Sequence, residues 1–215
     1  VFVVGNIGNP YTSIVQDTRE DSVIVAEMSS FQLETVHTFR PKVSAILNIT
    51  PDHLNRHHTM EAYIEAKERI AENQMQGEVC VLNYEDEVLR KFEEKTSAEV
   101  LYFSSQRKLN QGVYLDGTTI VYDRGEKIPV CDVSELQILG THNYENAMAA
   151  VAMAYAYGTP MDIVRKTLKE FTGVEHRIEF VAEKNGVAFY NDSKGTNPDA
   201  AIRGIRAMDR PTVLI

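Results

Sequence analysis

Lys67 is the residue whose setting most needs a chemical explanation. Helical spacing over 60–75 puts Met60, Tyr63, Ile64, Ile70 and Ala71 on one face, and Lys67 falls inside that apolar stripe. Glu61, Glu65, Glu68, Arg69 and Glu72 are assigned to the charged face. A lysine in such a stripe snorkels, pairs with a buried carboxylate or loses its charge. Partial desolvation lowers its pKa, and the neutral amine is then a nucleophile. Such an amine can add CO2 and become a carbamate, an anionic oxygen ligand for a metal. Simple snorkelling is the plainer alternative.

Two strand ends carry groups of the same kind. Glu27 closes an apolar run at 22–27, and a carboxylate at that edge of an α/β sheet suits Mg2+ beside phosphates. A helix cap or a salt bridge is the other reading of Glu27. His53 follows the apolar run 43–49 in the loop Thr50-Pro51-Asp52-His53. His57 and His58 come soon after, but zinc needs three or four convergent ligands and no Cys or Glu spacing completes a set. His57 and His58 are therefore expected at the surface, and His53 is the functional candidate.

Further along, His142-Asn143-Tyr144-Glu145-Asn146 opens an Ala-rich helix. Asn143 and Asn146 are three apart and share a face, where two amides could read a purine edge or simply cap the helix. His176-Arg177 sits at a change of pattern, where arginine could hold phosphate or form a salt bridge. Asn191-Asp192-Ser193-Lys194-Gly195-Thr196-Asn197-Pro198 joins a strand to a helix, which makes either an anion site or a turn with a cap. Gly5-Asn6-Ile7-Gly8-Asn9-Pro10 is another Gly-rich turn, and no G-x-x-x-x-G-K-[ST] phosphate loop occurs in the chain.

The elements that must position these groups alternate. Strands are expected at 1–5, 22–27, 42–49, 78–83 and 99–103, with runs such as 23–26 buried on both faces as in a parallel sheet. Helices are expected at 60–75 and 85–96, an antiparallel hairpin over 112–130, and helices at 143–157 and 160–171. Strands at 178–181 and 187–190 form a second hairpin, followed by a helix at 198–208 and a strand at 211–215. A domain boundary is placed near 173–177. Both chain ends read as strands, which suggests a piece of a longer protein.

The 215 residues, 43% hydrophobic and 25% charged, describe an ordinary globular chain rather than a disordered one. A net charge of −9 argues against a nucleic-acid surface but not against a phosphate held locally. No apolar run is long enough for a membrane helix. Two cysteines, Cys80 and Cys131, suit a reducing cytosol better than a disulfide framework.

Taken in order, the blocks resemble the Mur ligases of peptidoglycan synthesis. The resemblance rests on Gly5-Asn6-Ile7-Gly8, Glu27-Met28-Ser29-Ser30-Phe31-Gln32-Leu33-Glu34, Leu47-Asn48-Ile49-Thr50-Pro51-Asp52-His53-Leu54 and Ala66-Lys67. It continues through Gly140 to Ala147, Phe171-Thr172-Gly173, His176-Arg177 and Asn191 to Asn197. Gly195 departs from the family, which often has Ala there; the glycine is expected only to loosen its loop.

The resemblance implies an α/β fold, a mostly parallel sheet flanked by helices with an added antiparallel hairpin. Residues 1–173 would be most of a central ATP-binding ligase domain without its phosphate loop. Residues 174–215 would begin a Rossmann-like C-terminal amino-acid-binding domain, and the chain alone would be inactive. The implied activity joins D-glutamate to UDP-N-acetylmuramoyl-L-alanine through an acyl phosphate, using ATP and two Mg2+ sites, in a cytoplasmic monomer.

Carried over, Glu27 would hold one Mg2+, and His53 with a carbamate on Lys67 the other. Asn6, Ser29 and Gln32 would line the muramoyl side. Asn143 and Asn146 would face adenine, and Arg177 and Asp192 the ribose and phosphates. Lys194 and Thr196 would meet D-glutamate, with Lys67, His53 and Lys194 the catalytic set. A folylpolyglutamate-type ligase, a non-catalytic nucleotide-binding module and a zinc hydrolase built on His53, His57 and His58 are the competing readings.

Overall fold

The computed structural model describes residues 1–196 and 198–215; Asn197 lies outside them. The chain begins with strands β1 (Phe2–Gly5) and β2 (Ile24–Glu27), a turn of helix α1 (Ser30–Leu33), strand β3 (Val43–Ile46), and helices α2 (Leu54–His57) and α3 (Met60–Glu68). Strand β4 (Val79–Asn83), helix α4 (Glu87–Phe92) and strands β5 (Glu99–Ser104), β6 (Gly112–Asp116), β7 (Thr119–Asp123) and β8 (Lys127–Asp132) follow. Helices α5 (Thr141–Tyr157) and α6 (Met161–Glu170), strands β9 (Glu179–Lys184) and β10 (Val187–Asn191), and helix α7 (Pro198–Arg206) complete it.

Six strands form one sheet in the order β3-β4-β5-β6-β7-β8. The pairs β3–β4, β4–β5 and β5–β6 are parallel, and β6–β7 and β7–β8 are antiparallel. The hairpin expected over 112–130 is thus a three-stranded meander that extends the sheet. β1 and β2 pair in parallel with each other, Gly5 opposite Glu27, as a separate ribbon.

β4 shows why the sheet has two covered faces. All five of its residues are buried. Val79 and Val81 enter a core with Leu101, Phe103, Met148 and Val151. Cys80 and Leu82 point the other way, into a core with Ile46, Tyr63, Leu89 and Phe92. The two-residue alternation of a strand therefore feeds one core under α5 and another under α3 and α4. The small residues of α5 let it lie close against the sheet, with Val151 and Ala152 fully buried. α5 ends where Gly158 takes a left-handed φ of 105° and donates to Ala154 and Tyr155 carbonyls.

Several expectations are corrected. β2 is not buried on both faces: Val25 is 48% exposed, in a two-stranded ribbon apart from the six-stranded sheet. The run 42–49 ends as a strand at Ile46, and beyond it the Leu47 carbonyl and the Ile49 N–H bond to the side chains of Asn83 and Asp86. The helix expected over 60–75 stops at Glu68 and closes with a 3-10 turn at Arg69–Ala71. The Arg69 guanidinium there turns to the carbonyls of Glu34 and Val36. Glu68 is buried rather than on the charged face, and Lys95 Nζ pairs with it at 2.8 Å. Residues 211–215 form no strand, and Val213 is 85% exposed; among the described residues nothing runs alongside to take their hydrogen bonds. The hairpin β9–β10 is antiparallel as expected, turning at Asn185-Gly186. Among the described residues no helix is long and apolar enough to cross a membrane.

Candidate functional site

A cleft of about 660 Å³ opens beside the C-terminal end of β3 and the N-terminus of α5. Its floor includes Phe103. One wall is the loop Leu47–Asp52 with Lys67 of α3, another is His142, Glu145 and Asn146 of α5, and the third is Arg177, Asp192 and Arg203. This is the edge where parallel α/β sheets take ligands, and a helix N-terminus aims partial positive charge into it. Phe171-Thr172-Gly173 leads into the third wall, where the backbone takes unusual turns: His176 and Ile178 both have positive φ, 67° and 47°.

The loop Leu47–Asp52 is pinned from β4 and α4. Asn83 Nδ2 donates to the Leu47 carbonyl at 3.1 Å, and Asp86 Oδ2 accepts the Ile49 N–H at 2.8 Å. Asp86 Oδ1 also caps α4, accepting from Val88 N at 2.9 Å and Leu89 N at 3.3 Å. Asp86→Ala removes a cap and strands a buried N–H. It is expected to cost about 2–3 kcal/mol in denaturant unfolding. Asp86→Asn keeps one acceptor oxygen and should lose clearly less; equal losses would disprove the dual role.

Lys67 is half-buried, its Nζ 5.5 Å from the centre of the Tyr63 ring. Burial lowers its pKa, while the carboxylates of Asp52 and Glu27 pull it back up. The same burial raises the Tyr63 phenol. Glu27 itself accepts from Asn6 Nδ2 at 3.3 Å, and Asn6 N donates to the Glu27 carbonyl at 2.8 Å. The turn needs Gly5: at φ 102° a Cβ would stand 2.1 Å from the Glu27 carbonyl oxygen.

On the α5 wall, burial first and then the Arg203 and Arg177 guanidiniums lower the pKa of His142. The shift favours the neutral imidazole. Glu145 accepts from Ser105 Oγ at 2.6 Å. Asn146 Nδ2 donates to Asn143 Oδ1 at 3.3 Å, and Asn143 Nδ2 to the Leu139 carbonyl at 2.7 Å. Asp192 Oδ1 accepts the Ile178 N–H at 3.1 Å. Its other oxygen lies where Cβ atoms on Gly195 and Gly204 would come within 2.9 and 2.6 Å. Gly195 thus does more than loosen its loop; it leaves room for the Asp192 carboxylate.

Of the sequence candidates, Lys67, Asn146, Arg177 and Asp192 line the cleft. Asn143 touches it through Asn146, and Lys194 and Thr196 flank Gly195, both exposed. Ser29 and Gln32 are engaged with each other in a capping box at α1. His53 starts α2 with φ 53°, half-exposed, its Nε2 3.6 Å from Asp52. Asp52, Tyr63, Phe103, Glu145 and Arg203 line the cleft without having been singled out. Asp52 and Glu145 had signals, their places beside His53 and between His142 and Asn146; Phe103 had none, because it enters through tertiary packing. His57 is a correction: it is 7% exposed, not a surface residue, and among the described residues no three His, Cys, Asp or Glu converge as a metal cluster.

Residues 5–154 match the Mur ligase middle domain, so the chain belongs to the Mur ligase family. Among curated relatives it is 62% identical to the UDP-N-acetylmuramoylalanine–D-glutamate ligase of Lachnoclostridium phytofermentans, over 100% of this chain and 48% of that protein. It is 59% identical to the ligase of the same name from Lachnospira eligens, with the same coverage, 100% of this chain and 48% of that protein. The chain thus spans about half the length of these relatives. Among solved structures, the MurF ligase of Thermotoga maritima in complex with ADP superposes with a TM-score of 0.69 at 21% identity, covering 95% of this chain and 50% of that one. At that identity the likeness concerns the fold.

Proposed function

We propose that the complete protein containing this chain joins D-glutamate to UDP-N-acetylmuramoyl-L-alanine at the expense of ATP. The observation that carries the reading is the cleft: Lys67, Asn146, Arg177 and Asp192, far apart in sequence, face one space at the sheet edge. The 62% identity to a D-glutamate ligase across the whole chain supports D-glutamate as the amine. Residues 1–173 are read as the central ligase domain and 174–215 as the start of the next, in a cytoplasmic monomer.

In this reaction the γ-phosphoryl group of ATP passes to the alanyl carboxylate. The amine of D-glutamate then attacks the acyl phosphate, giving an amide, ADP and phosphate. The chain's task is to position and neutralise charge. Arg177 and Asp192 face the ribose and phosphates. Asn143 and Asn146 face the adenine, with Asn143 holding the Asn146 amide in place. Asn6, Ser29 and Gln32 lie on the muramoyl side, and Lys194 and Thr196 near the incoming amino acid.

The donor set fits Mg2+. Asp52 and Glu27 offer oxygens close enough to act on the Lys67 amine. Mg2+ keeps several waters and substrate phosphates, so one or two protein oxygens suffice and no dense cluster is needed. Glu27 would hold one ion; His53 and a carbamate on Lys67 would hold the second. Bound there, Mg2+ neutralises charge on the phosphates. The zinc hydrolase reading has no support, because both ring nitrogens of His57 already face protein partners.

The test is phosphate release by the complete protein with Mg-ATP and UDP-N-acetylmuramoyl-L-alanine while the amino acid is varied. Release only with D-glutamate is expected. Release with another amino acid or a folate acceptor would reassign the enzyme within ligases of this type. No release from folded, ATP-binding protein would favour a non-catalytic module.

A further inference from the structure

His57 is buried, yet no step above uses it. Its Nε2 lies 2.9 Å from Ser30 Oγ and its Nδ1 3.4 Å from Glu34 Oε1. The carboxylate beside Nδ1 favours the proton there, which leaves Nε2 to accept the Ser30 O–H. The order Ser–His–Glu is that of a nucleophilic triad, but Ser30 is 2% exposed and does not line the cleft, so no substrate carbonyl could reach it. The network ties two elements together instead. Ser30 and Glu34 belong to α1 and the residue after it, and His57 to the last position of α2. Arg56 adds a second tie to Glu34 at 2.8 Å.

Phe31 stands between the two histidines. Its ring stacks on His57 at 5.5 Å with 15° between the planes, and meets His53 at 4.9 Å. Tyr63 also meets His57, at 5.3 Å and tilted by 56°. Phe31 is 41% exposed and the His53 side chain 50% exposed, so neither is held by the core. The His53 ring meets Phe31 and, through Nε2, Asp52 at 3.6 Å, and Phe31 in turn stacks on buried His57.

We infer that His57 is a positioning residue for His53: it anchors Ser30 and Phe31, and Phe31 restricts the His53 ring. The inference rests on the reading above in one respect, that His53 serves a divalent cation. Restricting a ligand ring before the ion arrives removes an ordering cost, and outer partners of ligands are typically worth 10–100-fold in metal affinity.

The test uses the complete protein in three variants: His57→Phe, which keeps a ring but removes both nitrogen contacts, Phe31→Ala, and the double variant. Phe31 is partly exposed, so its loss leaves the core intact even where His57→Phe fails to fold. Two quantities are read: the free Mg2+ needed for half-maximal turnover, and the Mn2+ concentration that broadens the His53 ring proton signals by NMR. Each single variant is expected to raise both roughly tenfold, and the double variant no further, because the two act along one path.

A merely structural His57 would lower the melting temperature and leave the Mn2+ concentration unchanged in folded protein. That result, or a His53 ring that Mn2+ never broadens in the parent, overturns the inference. The Mn2+ measurement needs no amino-acid substrate. A parent without D-glutamate-dependent turnover would sink the ligase reading, while a Mn2+ difference between parent and variants would still support His57.

Discussion

The complete protein carrying Lys67→Arg is expected to release phosphate at least about a hundredfold more slowly than the parent, with its fold intact. Lys67 is half-buried over the Tyr63 ring, and that burial lowers its pKa. A lowered pKa means more neutral amine at a given pH, and only the neutral amine adds CO2. Arginine keeps the charge and much of the length but does not lose its proton in a protein, so it forms no carbamate. Added bicarbonate should restore a CO2-depleted parent and leave the variant unchanged. Restoration should improve as pH rises toward the lowered pKa, the direction that frees the amine. Near-parental turnover by Lys67→Arg would remove the carbamate role.

The same shift also makes stability depend on pH. Between the lowered folded pKa and the ordinary 10.5, the unfolded chain binds more protons at Lys67 than the folded one. Stability contributed by this group therefore rises with pH through that interval. Lys67→Met, which cannot titrate, should flatten that rise in denaturant curves taken at successive pH values.

The second large effect is structural. Phe103 is 1% exposed, sits in the core under α5 and forms part of the cleft floor. Phe103→Ala should cost about 3–5 kcal/mol, a loss of roughly 10 °C in melting temperature for a domain of this size. Phe103→Leu retains most of the volume and should lose less than half as much. Similar losses in the two variants would mean that the site collapses around the smaller side chain and that the core is less rigid than its burial implies.

Much of this organisation is legible residue by residue. The apolar run 78–83 appears as β4, and the Ala-rich run after Gly140 as α5, begun two residues early at Thr141. Those signals are local: a strand buried on both faces needs apolar residues throughout, and a helix against a sheet needs small ones. The blocks that resemble the Mur ligases also mark the site, because strand ends and helix starts are where a parallel sheet takes ligands. What failed depended on neighbours. Val25 is as apolar as Val81, yet one is 48% exposed and the other fully buried, since Val81 lies under α5 whereas β2 stands outside the six-stranded sheet.

By itself the sequence determined most of the strands and helices of the six-stranded sheet, and which short polar blocks sit at their ends. It also determined that Lys67 belongs on an apolar face. Those properties follow from backbone geometry and from burial of a single element's own side chains. Only the tertiary structure decided that Glu68 is buried against Lys95, that residues 211–215 form no strand, and that His57 is buried against Phe31 and Tyr63. It also brought Arg177 and Asp192 to the same cleft as Lys67. A residue's period along its own element says which way it faces; what it then meets is set by chain far away in sequence, and no local spacing encodes that partner.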